Sequence, residues 1–249
     1  METRVPKNTT VMAALLRADL TTLWRNRRSF VLVLLVPLVI LISWKGLVDK
    51  LGGMFVLSSC ITIGLTSIGL MGYSNSIARD RDRGVFQRLR VGPLSAWTIM
   101  MSRLTVQLGM ILLMTVLVFT GGYFVDNIQV SPVGYTAGLL MALLGGFVYL
   151  ALGQAIVGLI RNPDTVNSTT RLVYFIFIMI GMFGEFGVLG KQIAQLVIWS
   201  PYGVVRGLLA ASLDPAGWNM NTTWALLAAV GYTILFVSLG VKWFKWESR

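Results

Sequence analysis

The sequence predicts an all-α integral membrane protein with six transmembrane helices and an amino-terminal amphipathic helix at the membrane interface. Three observations carry that prediction. Of the 249 residues, 55% are hydrophobic and only 12% are charged, whereas roughly a quarter of an ordinary soluble domain is charged. Charge this sparse leaves apolar surface that has to face lipid. The apolar residues also come in long runs without period-two alternation. Backbone groups in hydrocarbon must be bonded within their own segment, so such runs are helices and not barrel strands. The third observation is that the basic residues lie in short clusters between the runs.

The elements follow in order. Met12, Leu15, Leu16, Leu20, Leu23 and Trp24 recur at helical spacing, with Arg17, Asp19, Thr21, Thr22 and Arg25 elsewhere around the helix. Residues 10–28 therefore read as an amphipathic helix lying on the inner membrane surface. A secretory leader is not expected here, because no small-residue cleavage site follows the apolar run Phe30–Ser43. A spanning helix needs about 20 mostly apolar residues. Candidate spans are Phe30–Val48, Leu51–Ile77, Leu104–Val125, Val133–Ile160, Leu172–Gly190 and Trp224–Val241. Lys45, near the end of the first, can snorkel to the interface. In the fourth, Gly134, Gly138, Ala142 and Gly146 repeat every fourth residue, a spacing that lets helix backbones approach closely and marks internal packing.

Orientation follows from the cations. On this six-span path 17 of the 21 Lys and Arg residues collect on one side, leaving Lys45, Lys50, Lys191 and Arg206 on the other. Positive charge is retained inside, so the first side and both termini are expected in the cytoplasm. The eight tryptophans fall at or near the ends of apolar segments, where an indole keeps its ring apolar and its N–H wet.

Composition also removes function classes. There is no histidine, and the one cysteine, Cys60, sits inside an apolar run. Disulfide frameworks, zinc sites and histidine acid–base chemistry are thereby excluded. The Gly190-Lys191 pair is followed by Gln192 and opens no phosphate-binding loop. No catalytic residue, metal or cofactor is expected on this chain, and any work it does draws its energy from another subunit. The formal charge of +11 invites a nucleic-acid reading, but arginines placed between apolar runs point to membrane lipid instead.

The loop at 79–97 is the most informative stretch. Asp80 or Asp82 can cap a short helix whose Val85, Phe86 and Leu89 share a face; Gly92 and Pro93 end it, and Ser95 can cap the next span. The expected product is an apolar knob, Phe86 and Leu89, ringed by arginines on the cytoplasmic face. Such a combination is a protein-contact anchor. A topogenic loop that merely touches phospholipid uses the same residues, and both readings stay open on the residues alone.

The run Arg81-Asp-Arg-Gly-Val-Phe-Gln-Arg-Leu-Arg-Val-Gly-Pro-Leu-Ser95 resembles the signature of type-2 ABC exporter membrane subunits. That signature reads acid, basic, Gly, Thr, hydrophobic, Glu, basic, Leu, two variable positions, small, Pro, Leu, Ser. Asp82, Gly84, Arg88, Leu89, Pro93, Leu94 and Ser95 match it, while Val85 stands where threonine is usual and Gln87 where glutamate is usual. The resemblance extends over nearly the whole chain. It implies a connecting helix before the first span and a re-entrant segment in the outer leaflet at Lys191–Leu213. There Trp199-Ser-Pro-Tyr202 is similar to the family's proline-centred turn, placed here at Pro201 and Tyr202. The charge-free stretch Gln192–Val205 is too short to span alone.

The resemblance implies the permease half of an exporter in a bacterial plasma membrane, paired with a second copy or a paralogous permease. Separate ABC ATPase subunits would carry the ATP and magnesium. They would act on a coupling segment made of Asp82, Gly84, Val85, Phe86, Gln87, Arg88, Leu89 and Arg90. The cargo it implies is a hydrophobic drug, lipid or natural product, with a polysaccharide or teichoic acid as the alternative within the family. Met54, Phe55, Phe175, Met179, Met182 and Phe183 can line an apolar path, methionine being suited to adaptable surfaces, although packed helices contain the same residue types. Glu185 interrupts the fifth span: it is either a contact or gate on that path, or a helix-end residue paired with Lys191 or wet at the interface. An intramembrane enzyme would need clustered polar groups and a channel would need polar rings. Neither is evident, which leaves a non-transporting scaffold as the remaining alternative.

Overall fold

The computed structural model describes residues 8–25, 27–91, 96–185 and 190–244. In chain order the helices are α1 (Asn8–Arg25), α2 (Arg27–Ser43), α3 (Gly53–Asp82), α4 (Val85–Val91), α5 (Ala96–Asp126), α6 (Pro132–Leu159), α7 (Pro163–Glu185), α8 (Lys191–Trp199), α9 (Pro201–Leu213) and α10 (Met220–Trp243). Among the described residues there is no strand. Five helices, α3, α5, α6, α7 and α10, are long and apolar enough to cross a membrane, and the pair α8–α9, bent by 73° at Ser200, makes a sixth if counted as one span. The 17 residues of α2 hold a shorter apolar stretch, Val33–Ser43. After α2 the chain turns back through a single helical turn at Val48–Leu51. Gly52, at φ 85°, takes the left-handed conformation that starts α3.

Helix α3 is the centre of the molecule. Every residue from Val56 to Leu70 is buried, so this helix is enclosed all round and not along one stripe. Its small and hydroxylated residues make that possible. The Ser58, Thr62 and Thr66 hydroxyls donate to backbone carbonyls three or four residues back, at 2.7–3.0 Å, and so carry no unpaired donor into the core. Ser67–Ser74 is wound as a π-helix, with the Ser74 hydroxyl donating to Gly69 O at 2.9 Å. The wider winding brings Gly69 against α6, where a Cβ on Gly153 would stand 2.5 Å from Gly69 O. Tyr73 closes the same contact by donating from its hydroxyl to Gln154 Oε1 at 2.8 Å.

Helix α6 supplies the other half of the packing. Ser131 caps it, accepting from Gly134 N, with Pro132 at its first position. The small residues read from the sequence do pack internally, against two neighbouring helices. Gly134 and Gly138 abut Leu213 of α9, and Gly146 abuts Ile111 of α5. Gly158, outside that repeat, meets the backbone of Gly240 in α10. Close backbone approach at small residues is how helices gain contact when lipid is as apolar as their side chains.

The turn between α8 and α9 is built from its own residues. Ser200 leaves the helix at ψ 159° and its hydroxyl accepts from Gly203 N, while Pro201 takes the first position of α9. Gly203 admits no side chain, since a Cβ there would lie 2.7 Å from Ile198 Cα. Tyr202 is buried against Gly181 of α7, and the Tyr232 hydroxyl of α10 donates to Trp199 O at 2.6 Å.

Trp24, Trp97, Trp199, Trp218, Trp224 and Trp243 are exposed near helix ends, as membrane-interface anchors are.

Candidate functional site

One end of the bundle gathers the ends of α3, α6 and α10 with the starts of α4 and α5. Arg81, in the last turn of α3, is its keystone. Ile77, Ala78 and Arg81 share a buried face, and Arg81 itself is only 3% exposed. Its guanidinium donates to Val157 O at 2.7 Å, Ile160 O at 2.7 Å and Arg161 O at 2.8 Å. These are the last carbonyls of α6 and its exit, groups that an α-helix leaves without internal partners. A cation there also opposes the negative end of the helix dipole. The same guanidinium stands 5.8 Å from the ring centroid of Phe244, just beyond α10.

Gly84, at φ 67°, turns the chain sharply into α4. Phe86 then points inward and is fully buried. It meets Phe244 edge to face at 6.1 Å, and Arg103 of α5 covers it at 5.2 Å. Arg103 is held in turn by an ion pair with Asp80. Nearby, the Ser102 hydroxyl donates to Asp19 Oδ2 at 2.6 Å, which ties α1 to α5. Backbone and side-chain contacts thus join α1, α3, α4, α5, α6 and the end of α10 at one face.

This arrangement corrects the expected knob. Phe86 is not an exposed anchor ringed by arginines; it is the buried pin of α4, because an aromatic ring gains more between Phe244 and Arg103 than in water. What α4 exposes is polar: Gln87 and Arg88, with Asp82 and Arg83 just before it, while Val85 is half-buried. The side chains of Leu89 and Arg90, and residues 92–95 with Pro93, Leu94 and Ser95, lie outside the described residues. Sequence reasoning gave no packing role to Arg81, Arg103 or Phe244. The available signal was periodicity, since continuing the helix through Asp82 places Arg81 one turn after Ile77 on the buried face.

The apolar residues singled out as a path are not gathered into one. Phe175 and Phe183 face outward from α7, 59% and 45% exposed, and Met179 and Met182 are half-buried beside them. Met54 and Phe55 lie at the start of α3, at the opposite end from Arg81, where Arg206 of α9 stands 5.0 Å over the Phe55 ring. The inward face of α7 is instead Phe177, Gly181 and Gly184, packed on Tyr149, Tyr202 and Val197. The Glu185 and Lys191 side chains, and with them the gate or ion pair expected there, lie outside the described residues. Among the described residues no group of three or more His, Cys, Asp or Glu side chains is arranged to hold a metal ion.

Comparison with known proteins gives two findings. The pattern of the family described as ABC-2 type transporter matches residues 10–199. A protein of Bacillus subtilis (strain 168) named "Putative transport permease YvfS" is 22% identical over 188 residues, covering 73% of this chain and 69% of that one.

Proposed function

The chain belongs to the ABC-2 type transporter family, and from that premise we propose that it is the permease of an ABC exporter moving a hydrophobic drug, lipid or natural product outward. As a multi-pass ABC permease it works with an ABC ATPase, which holds the nucleotide and its magnesium. In our reading the site rich in basic residues faces the cytoplasm of a bacterial cell, both termini lie on that side, and α8–α9 re-enters the outer leaflet. The spans are then α2, α3, α5, α6, α7 and α10, and a second copy or a paralogous permease completes the path across the outward faces that include Phe175 and Phe183. A polysaccharide or teichoic acid is the alternative cargo.

The single observation that supports the coupling role is the way α4 is attached. Its outer side presents Gln87 and Arg88, while its inner side is pinned through Phe86 to α5 and the end of α10. A push on the outer side therefore reaches several membrane helices at once through contacts that are short and packed. ATP binding shifts the conformation only if the ATPase grips this surface differently in its two states.

The test is capture of the chain from native membranes with and without Arg88→Glu. The wild type should bring down an ABC ATPase, and the variant should lose it while melting at the same temperature in detergent. Undiminished capture by the variant would refute the assigned contact, and capture of no ATPase by either form would refute the exporter reading.

A further inference from the structure

We propose that the cleft between the ends of α6 and α10 is a binding site for the phosphodiester headgroup of an anionic phospholipid in the leaflet on the basic side. A cavity of about 200 Å³ opens there, lined by Gly158, Leu159, Arg161 and Trp243. Its position is fixed by close packing: a Cβ on Gly158 would stand 2.8 Å from Gly240 O, so the last turns of the two helices touch beside the cleft. Both helices are membrane-length and end at this cleft, which places it at the level of lipid headgroups.

The charges around it favour an anion. Arg81 lies behind the cleft, bound to Val157 O, Ile160 O and Arg161 O, and is close enough that the charge of Arg161 opposes its own. Arg161 gives only its backbone carbonyl to Arg81. Its exposed side chain makes no hydrogen bond or ion pair with any described residue, including Asp164 three positions on. Lys242 adds a second exposed cation, its Nζ 5.3 Å from the Trp243 ring. The neighbouring carboxylate of Asp82 offsets part of this charge. Two like charges placed beside a buried third are relieved by a bound anion, and basic pockets between membrane helices take acidic headgroups in this way.

The surroundings single out a lipid over free phosphate. Leu159 and Val241, 57% and 62% exposed, carry an apolar surface onward from the cleft, where acyl chains can lie. The Trp243 indole, 42% exposed, sits between the two regions as interfacial tryptophans do. The inference needs only that the chain spans a membrane and stands apart from the exporter reading.

The full-length chain, purified in a neutral detergent, is titrated with phosphatidylglycerol, phosphatidylcholine and inorganic phosphate, and bound lipid is counted by native mass spectrometry. Phosphatidylglycerol should be retained over phosphatidylcholine, and inorganic phosphate should not displace it. Arg161→Gln and Lys242→Gln should each weaken retention by roughly fivefold, the effect of one basic group near an acidic membrane surface. Arg161→Gln keeps the carbonyl that Arg81 uses, so its melting temperature should match the wild type. Arg83→Gln, which removes a cation outside the cleft, should leave retention unchanged. Equal retention of the two lipids, equal loss in Arg83→Gln, or ready displacement by inorganic phosphate would each overturn the site. Unchanged lipid retention in Arg161→Gln together with weakened capture of the ATPase would also overturn it, by assigning the cleft to a protein partner.

Discussion

At the scale of single residues, the basic face is organised by two side chains with opposite characters. Arg81 is a buried cation made tolerable by three carbonyls and an aromatic ring; removing it strands the end of α6. Hydrogen bonds to a charged group are each worth about 1.5–3 kcal/mol. Arg81→Ala should therefore lower the chain's detergent melting temperature sharply, Arg81→Lys should recover only part, and a full-strength melt in Arg81→Ala would contradict the arrangement. Phe86→Ala leaves a cavity between Phe244 and Arg103, with a cost of about 3–5 kcal/mol expected for a buried aromatic ring. Arg88→Ala, on the exposed side of the same helix, should not move the melt. A Phe86 variant that loses the ATPase thus has to be read beside its own stability, because the ring braces the helix and is not available to a partner.

At the scale of elements, the contact between α3 and α6 is set by what is missing from it. Gly153 has no room for a methyl group, with Gly69 O and Ser74 Oγ both 2.5 Å from where a Cβ would sit. Gly153→Ala should force the π-wound segment of α3 away from α6 and broaden or abolish the monodisperse peak in size-exclusion chromatography. Gly231, in the exposed part of α10, has nothing within 4 Å of its Cβ position. There the same substitution should leave the peak intact and raise the melt slightly, since alanine favours a helix over glycine by about 1 kcal/mol. Similar behaviour of the two variants would show that α3 and α6 do not meet as described.

At the scale of the molecule, the two ends of the bundle carry different contents. One end holds Arg81, Arg103, Phe86 and Phe244; the other holds Gly53 against Ile128 and Phe55 under Arg206. A cysteine at Gln87 and one at Gln129, both exposed and at opposite ends, should react with a membrane-impermeant thiol reagent from opposite sides of the membrane. Cys60 is buried and should stay silent. Labelling of both positions from the same side would overturn the proposed topology.

Helical class, membrane residence and the existence of α4 are legible in the sequence, because each rests on local chemistry. Lipid cannot bond a backbone group, so apolar runs must be helices, and Gly84 and the loop arginines declare themselves one by one. Which helix occupies the centre, and which way Phe86 points, are not legible. A helix facing lipid and a helix facing protein are equally apolar, so hydropathy does not separate α3 from α10. The small and hydroxylated residues of α3 were the only hint. Periodicity puts Arg81 on the buried face of α3, but its partners were decided by tertiary structure: one cation among many in the sequence becomes the end-cap of α6 because folding brings α6's last unpaired carbonyls to it.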